Sequence, residues 1–256
     1  MERKVALITG AGTGIGKGIA VELAKIGYNI GVNYNSSEQG ALDTISRIEE
    51  VGGEGLLVRA DVSDKEQVTQ MVKAVVDRFG GIDVLVNNAA MQTNLSLRDY
   101  DEEKYDRVMN INLKGYFFCT QAVIPFMKAH RHGRIINISS VHGKRPTDFD
   151  TVYAMTKGGI KMLTRESAIE LAKYGMTVNT IEPGAVDIGV KSGNPRPIVS
   201  KEAAVKMQRR SSKSQYPLGR VGKPQDVGHM VAYMVSDQTE FLSGASIRLD
   251  GASMLM

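Results

Sequence analysis

The stretch "VALITGAGTGIGKG", Val5–Gly18, decides the fold. Val5–Thr9 is a short apolar run without polar alternation, the pattern of a strand buried on both faces. Glycines follow at positions 10, 12, 14 and 16. Bare backbone at such a turn lets a pyrophosphate approach the amides closely, and the positive end of the next helix favours its charge. The order strand, glycine turn, helix therefore predicts a dinucleotide site. The spacing differs from G-x-G-x-x-G, and from a P-loop as well. Gly18, rather than a hydroxyl residue, follows Lys17, so no magnesium ligand is present at that point, and no metal is expected.

Outward from this stretch the same grammar repeats. Apolar runs recur at Asn29–Tyr34, Gly55–Ala60, Asp83–Asn88, Arg134–Ser139, Met176–Ile181 and Ser246–Leu249. Helical spacing separates them, most clearly in Val68, Met71, Val72, Val75, Val76 and Phe79, and again in Ala41, Ile45 and Ile48. Alternation of strand and helix predicts an α/β fold, a doubly wound, seven-stranded parallel sheet with helices on both faces. No repeat or linker divides the chain, so residues 1–256 are expected to form one dinucleotide-binding catalytic domain. Asp187–Gly222 breaks the pattern with Gly, Pro and Ser. It follows the sixth strand, at the edge where ligands bind, and is expected to be a substrate-binding lid.

Bulk properties remove other classes. The chain has 256 residues, 42% hydrophobic and 23% charged, with a net charge of +4. That excess is too small to argue for nucleic acid. The tightest basic cluster, Lys206, Arg209, Arg210 and Lys213, reads as a solvated helix face, with a site for an acidic substrate or partner as the alternative. A lone cysteine, Cys119, lies in an apolar run and requires no oxidising compartment. The first apolar segment is too short for a signal peptide or a membrane span, so a cytoplasmic protein without membrane contact is expected. "GYFFCTQAVIPFM" (Gly115–Met127) and "GGIKMLTRESAIELA" (Gly158–Ala172) are apolar on more than one face. A second subunit would bury the extra face, so a homo-oligomer is expected.

The chemistry resides in "SSVHGKRPTDFDTVYAMTK", Ser139–Lys157. Ser140 ends the fifth predicted strand, where ligands bind in such sheets. Tyr153 and Lys157, at i and i+4, share one helix face. A phenol titrates near ~10, and a neighbouring ammonium favours its anion. Tyr153 could then exchange a proton with a substrate alcohol or carbonyl while hydride moves to or from nicotinamide. Ser140 could hydrogen-bond the same oxygen. A second Tyr/Lys pair, Tyr100 and Lys104, has Asn87 where the first has serine, and carries no such claim. A Ser–Lys nucleophile would leave both the tyrosine and the glycine turn unexplained.

In chain order, "TGAGTGIG" (Thr9–Gly16), "DV" (Asp61–Val62), "NNAA" (Asn87–Ala90), "NINLKG" (Asn110–Gly115), Ser140, "YAMTK" (Tyr153–Lys157) and "PG" (Pro183–Gly184) resemble the short-chain dehydrogenase/reductase family over essentially the whole chain. The resemblance implies a Rossmann fold and an NAD(P)-dependent oxidoreductase. In it Tyr153 is the general acid/base, Lys157 holds the nicotinamide ribose and tunes Tyr153, and Ser140 polarises the reacting oxygen. Asn112 is the fourth member, supporting a water relay to Lys157. The implied cofactor set takes in Gly10, Thr13, Gly14, Ile15 and Gly16 at the turn, and Asn33, Tyr34, Asn35 and Ser36 after the second strand. Asp61 and Val62 lie at the adenine, with Asn88, Ala89 and Ala90 beside the adenosine. Tyr153, Lys157, Pro183, Gly184 and Val186 complete it. The family also implies homotetramers built on the two apolar helices. Two positions depart from its pattern: Ala90 replaces a common glycine, and Ile188 stands where a threonine usually contacts the carboxamide.

"VNYNSS", Val32–Ser37, has neither acid nor base. No carboxylate there repels a 2′-phosphate, and Asn35, Ser36 and Ser37 could bind it, which leans slightly to NADP. "SSVHG" resembles the glucose 1-dehydrogenase branch, where His142 would line a sugar pocket with Ser140 and Tyr153. A sugar, polyol or other small hydroxy substrate is expected. The alternatives are a 3-oxoacyl-acyl-carrier-protein reductase, for which Arg131 fits one carrier-binding position but Tyr174 replaces another, and a non-catalytic dinucleotide sensor or scaffold.

Overall fold

The structure, a computed structural model, describes residues 3–145, 150–189 and 216–255. Strands β1 (Val5–Ile8), β2 (Asn29–Tyr34), β3 (Glu54–Arg59), β4 (Val84–Asn87), β5 (Gly133–Ile138), β6 (Met176–Pro183) and β7 (Ser246–Leu249) form one seven-stranded sheet in the order β3-β2-β1-β4-β5-β6-β7. Every pairing is parallel, as the both-faces-apolar runs require. The strand order reverses between β1 and β4, so the carboxyl ends of those strands flank the crevice where such sheets hold ligands.

Helices cover both faces. On one lie α1 (Gly14–Lys25), α2 (Glu38–Glu50) and α7 (Pro224–Met234). Their Ile19, Leu23, Ala41, Ile48, Val227 and Val231 pack on Ile8, Ile30 and Val86 of the sheet. On the other lie α3 (Lys65–Phe79), α5 (Gly115–His130) and α6 (Thr151–Ala172), whose Val68, Met71, Cys119, Val123 and Leu171 pack on Leu7, Leu85 and Ile135. α4 (Glu102–Met109) passes into α5 through a π-helical turn at Asn110–Lys114. Cys119 is fully buried core, as its apolar context suggested.

The two helices with surplus apolar character do carry a second face. Phe117 on α5 and Met155, Met162 and Ile169 on α6 remain 48–76% exposed opposite their buried sides. Among the described residues, no helix is long and apolar enough to cross a membrane. The expected lid falls mostly, and the basic cluster at Lys206–Lys213 wholly, outside the described residues. The described ends of that segment meet: Val186 bridges Gly222, and the Asp187 amide donates to the Gly222 carbonyl at 2.8 Å.

Candidate active site

A cleft of about 800 Å³ opens at the carboxyl ends of β1, β2 and β4 and reaches Tyr153. One wall is the glycine turn. Gly10 and Gly14 have φ of +63° and +54°, a region side chains other than glycine's seldom adopt. Gly16 is packed tightly instead, since a Cβ there would come within 2.4 Å of the Gly10 carbonyl oxygen. Asn33, buried in β2, accepts from the Gly10 amide at 3.1 Å and donates to the Val58 and Ala60 carbonyls. Asn88 donates to the Thr9 and Gly10 carbonyls at 2.9 and 3.1 Å. Both asparagine side chains thus hold the turn in shape, and both residues also line the cleft.

Tyr34, Asn35 and Ser36 line the far end beside Asp61 and Val62. Asp61 accepts from Ser63, from Asn35 at 3.2 Å and from Arg107 at 2.7 Å. Burial would raise its carboxyl pKa, but the Ser63 and Arg107 donors hold it below the ordinary range. Ala89 and Ala90 form the facing wall, and Thr13 and Ile15 stand at the start of α1. Ile188 packs over the turn: a Cβ on Gly14 would lie 3.2 Å from its Cγ2. Pro183, Gly184 and Val186 sit elsewhere. The first ends β6, the second abuts Asp250, and Val186 lines a smaller cavity with Leu218 and Val227.

The catalytic candidates converge at the carboxyl end of β5. Ser140 is 7% exposed and hydrogen-bonds the Tyr153 hydroxyl. Lys157 is 2% exposed and donates from Nζ to the Ile138 carbonyl at 2.8 Å. Its Nζ lies 5.3 Å from the Tyr153 ring centroid and 5.5 Å from that of Tyr116. Burial pushes Lys157 down to about 7. Burial also raises Tyr153, aided by the Asp150 charge and opposed by the Ser140 hydrogen bond. This corrects the expected direction: dehydration of the phenol outweighs any help from the ammonium, which faces the ring and a carbonyl.

Asn112 is fully buried in the π-helical turn. It accepts from the Met91 amide at 2.7 Å and donates to the Met91 carbonyl at 2.8 Å and to Thr156 at 3.2 Å. Its side chain ties the loop after β4 to α6. His142 stands beside Tyr153 with ring centroids 6.4 Å apart, and burial lowers its pKa.

Sequence reasoning missed Arg107, Tyr116, Met91 and Gln92 around this cleft. Arg107 lies on an acidic helix with no local signal of its reach. Tyr116 was visible only as one more apolar residue of α5.

A dinucleotide fits the cleft on two observations. The glycine turn leaves the first amides of α1 facing open volume without side chains, and a half-buried carboxylate, Asp61, stands at the opposite end.

Comparisons agree with this geometry. Residues 10–252 match the family model described as Enoyl-(Acyl carrier protein) reductase. The chain is 38% identical over 248 residues to the 3-oxoacyl-[acyl-carrier-protein] reductase FabG of Staphylococcus aureus (strain Mu50 / ATCC 700699), covering 97% of each chain. It is similar to the solved acetoin dehydrogenase YohF from Salmonella typhimurium, with TM-score 0.85, 29% identity and coverage of 99% and 96%. The acetoin dehydrogenase from Enterobacter cloacae gives TM-score 0.84 and 31% identity, with coverage of 99% and 97%. With the parallel sheet, the glycine turn and the full-length relatives together, the chain belongs to the short-chain dehydrogenase/reductase family and is an NAD(P)-dependent oxidoreductase acting on CH–OH groups.

Proposed function

We propose that the chain interconverts a secondary alcohol and its ketone, with Tyr153 moving the proton. The observation that carries this is the Ser140–Tyr153 hydrogen bond at the inner end of the cleft. The nicotinamide, when bound, accepts or supplies the hydride. Tyr153 takes the hydroxyl proton on oxidation and returns it on reduction. Ser140 hydrogen-bonds the reacting oxygen and steadies its developing charge. Lys157 holds the ribose and adds positive charge beside the phenol. Asn112 anchors the loop that flanks this machinery. A Tyr153→Phe variant is expected to keep cofactor affinity and lose at least ~100-fold in kcat; unchanged turnover would remove Tyr153 as the proton carrier, and a parent that binds the cofactor without turning over any alcohol or ketone would be a dinucleotide sensor instead.

The phosphates belong on Thr13, Ile15 and the turn of Gly10–Gly16. The adenosine belongs between Asn35, Ser36, Asp61 and Val62, with Asn33 and Asn88 shaping the pocket and Pro183, Gly184 and Val186 toward the nicotinamide side. NADP is preferred slightly, because Asn35, Ser36 and Ser37 supply donors without a carboxylate on that strand end. Competitive titration of the two cofactors against intrinsic fluorescence tests this; markedly tighter NAD binding would reverse it.

The substrate is a sugar, polyol or other small hydroxy compound. His142 supports this, because its lowered pKa keeps the ring neutral at pH 7, able to donate and accept toward hydroxyls. Acetoin is a compound of that kind. NAD(P) reduction across sugars, polyols and acetoin is the assay. A second reading, reduction of a 3-oxoacyl chain on an acidic carrier, is favoured by a specific patch. Lys128 and Lys173 lie 4.5 and 5.1 Å from the Tyr174 ring centroid. Two ammonium groups therefore flank the position where an arginine was expected, and the adjoining Gly175 packs against the backbone carbonyl of Arg131. Activity confined to acyl thioesters, falling steeply with salt, would establish that alternative. The working form is a cytoplasmic homotetramer in which residues 1–256 make one catalytic unit.

A further inference from the structure

One buried carboxylate has no part in the chemistry above. Asp150 is 3% exposed and precedes α6. Its Oδ1 accepts from the Tyr153 amide at 3.0 Å and from the Tyr100 hydroxyl at 2.6 Å. Its Oδ2 accepts from the Thr93 amide at 2.9 Å, the Thr93 hydroxyl at 3.0 Å and the Asn94 amide at 3.0 Å. A helix cap needs only the first of these. The other four donors come from the loop between β4 and α4.

That loop is held at its start as well, by Asn112 on the amide and carbonyl of Met91. Asn94 is bent to φ +58° between the two grips. The Thr93 and Tyr100 hydroxyl oxygens are also 2.6 Å apart, so one of their two protons is shared between this contact and Asp150. Burial would raise the carboxyl pKa of Asp150, yet the donors from Tyr100, Tyr153 and Thr93 hold it below the ordinary range, so it stays charged. A saturated, buried anion of this kind locks whatever it touches, because each lost bond strands a desolvated group.

Resting on the reading of Tyr153 as proton carrier, we infer that Asp150 is a positioning residue that clamps the 91–100 loop onto the first turn of α6 and thereby fixes the seat and the electrostatic surroundings of the Tyr153 phenol. The groups facing that phenol are Ser140 and His142 after β5, Lys157 on α6, Tyr116 on α5 and Asp150 itself. Asp150 is the anion among these described neighbours, and its charge opposes phenolate formation.

The test uses Asp150→Asn, which keeps the shape and removes the charge, in the full-length protein. Tyr153 is titrated by phenolate absorbance, as the difference between each protein and its Tyr153→Phe counterpart. Hydrogen exchange is followed by mass spectrometry. The expected result is a downward shift of the Tyr153 titration, with exchange in 91–101 and 151–157 faster by about tenfold and the β1–β2 region unchanged. Tyr100→Phe, which removes a single donor, should speed exchange in the same two regions less and leave the charge in place. An unshifted titration with unchanged exchange in Asp150→Asn would overturn the inference. Faster exchange without a titration shift would also overturn it, reducing Asp150 to an ordinary cap. Full turnover of Tyr153→Phe on acetoin or glucose would instead remove the functional reading on which the inference rests.

Discussion

Lys157 donates from its ammonium nitrogen to the carbonyl oxygen of Ile138 at 2.8 Å, at the carboxyl end of β5 and out of contact with bulk water. Burial brings its pKa to about 7, whereas the unfolded chain holds that proton to about 10.4. Between those values the unfolded state binds more protons, so this residue makes stability rise with pH. Urea unfolding from pH 7 to 9.5 should show a contribution approaching ~1.4 kcal/mol per pH unit. Lys157→Met should lose that slope, be at least as stable at pH 7, and have no turnover. Identical slopes in the two proteins would contradict the placement of the ammonium.

Ser140 lowers the Tyr153 pKa through its hydrogen bond, against burial. Ser140→Ala removes that lowering influence. The pH at which oxidation of the identified alcohol reaches half its maximum should move upward, and kcat should fall by about 100-fold or more. A profile displaced toward acid would refute the bond.

Arg107 reaches from α4 to Asp61 at 2.7 Å, across the wide end of the cleft. Arg107→Ala should let the Asp61 carboxyl titrate closer to its ordinary range, since one of its lowering partners is gone. It should also weaken cofactor binding by about fivefold to tenfold, as loss of one charge-assisted bond at a half-open site would. Equilibrium dialysis measures the second effect; unchanged affinity would place Arg107 outside the cofactor's surroundings.

The α1–α7 crossing depends on absent side chains. A Cβ on Gly18 would lie 2.5 Å from the Pro224 Cβ, and one on Gly228 would lie 2.7 Å from the Glu22 Cγ. Gly18→Ala must push α7 away, at a cost of about 1–3 kcal/mol. The denaturant midpoint should fall with the m-value unchanged.

How far the sequence revealed this molecule depends on where each signal lies. The inner strands are visible because burial on both faces leaves mainly apolar runs, as in β5, whereas the edge strands β3 and β7 are only partly buried and show as short apolar runs between helices. Ser140, Tyr153 and Lys157 are legible because one strand end and one helix carry them at fixed spacing. Helix α7 passed unread, although Pro224 at its first position and Val227, Val231 and Met234 on one face were signals. Arg107 and Asp150 were out of reach for another reason. Their partners lie 46 and 50–57 residues away, at Asp61 and at Thr93–Tyr100, and only the folded chain brings them together. The direction of the Tyr153 shift was also beyond the sequence, because dehydration is a property of the assembled core rather than of the i, i+4 pair.

The exposed apolar face of α5 and α6 sets up the last prediction. Phe117, Met155, Met162 and Ile169 lie 48%, 49%, 52% and 76% exposed, opposite the buried sides of these helices. Leaving such side chains in water forfeits burial worth about 1.5–3 kcal/mol each, so a partner surface would gain by covering them. Ile169→Glu would place a desolvated carboxylate inside any such contact, which costs far more than the lost isoleucine. Light scattering coupled to size exclusion should find the parent as a tetramer and Ile169→Glu as a smaller species with the same circular dichroism. A parent that elutes as a monomer, or a variant that stays tetrameric, would show that these helices pack against nothing.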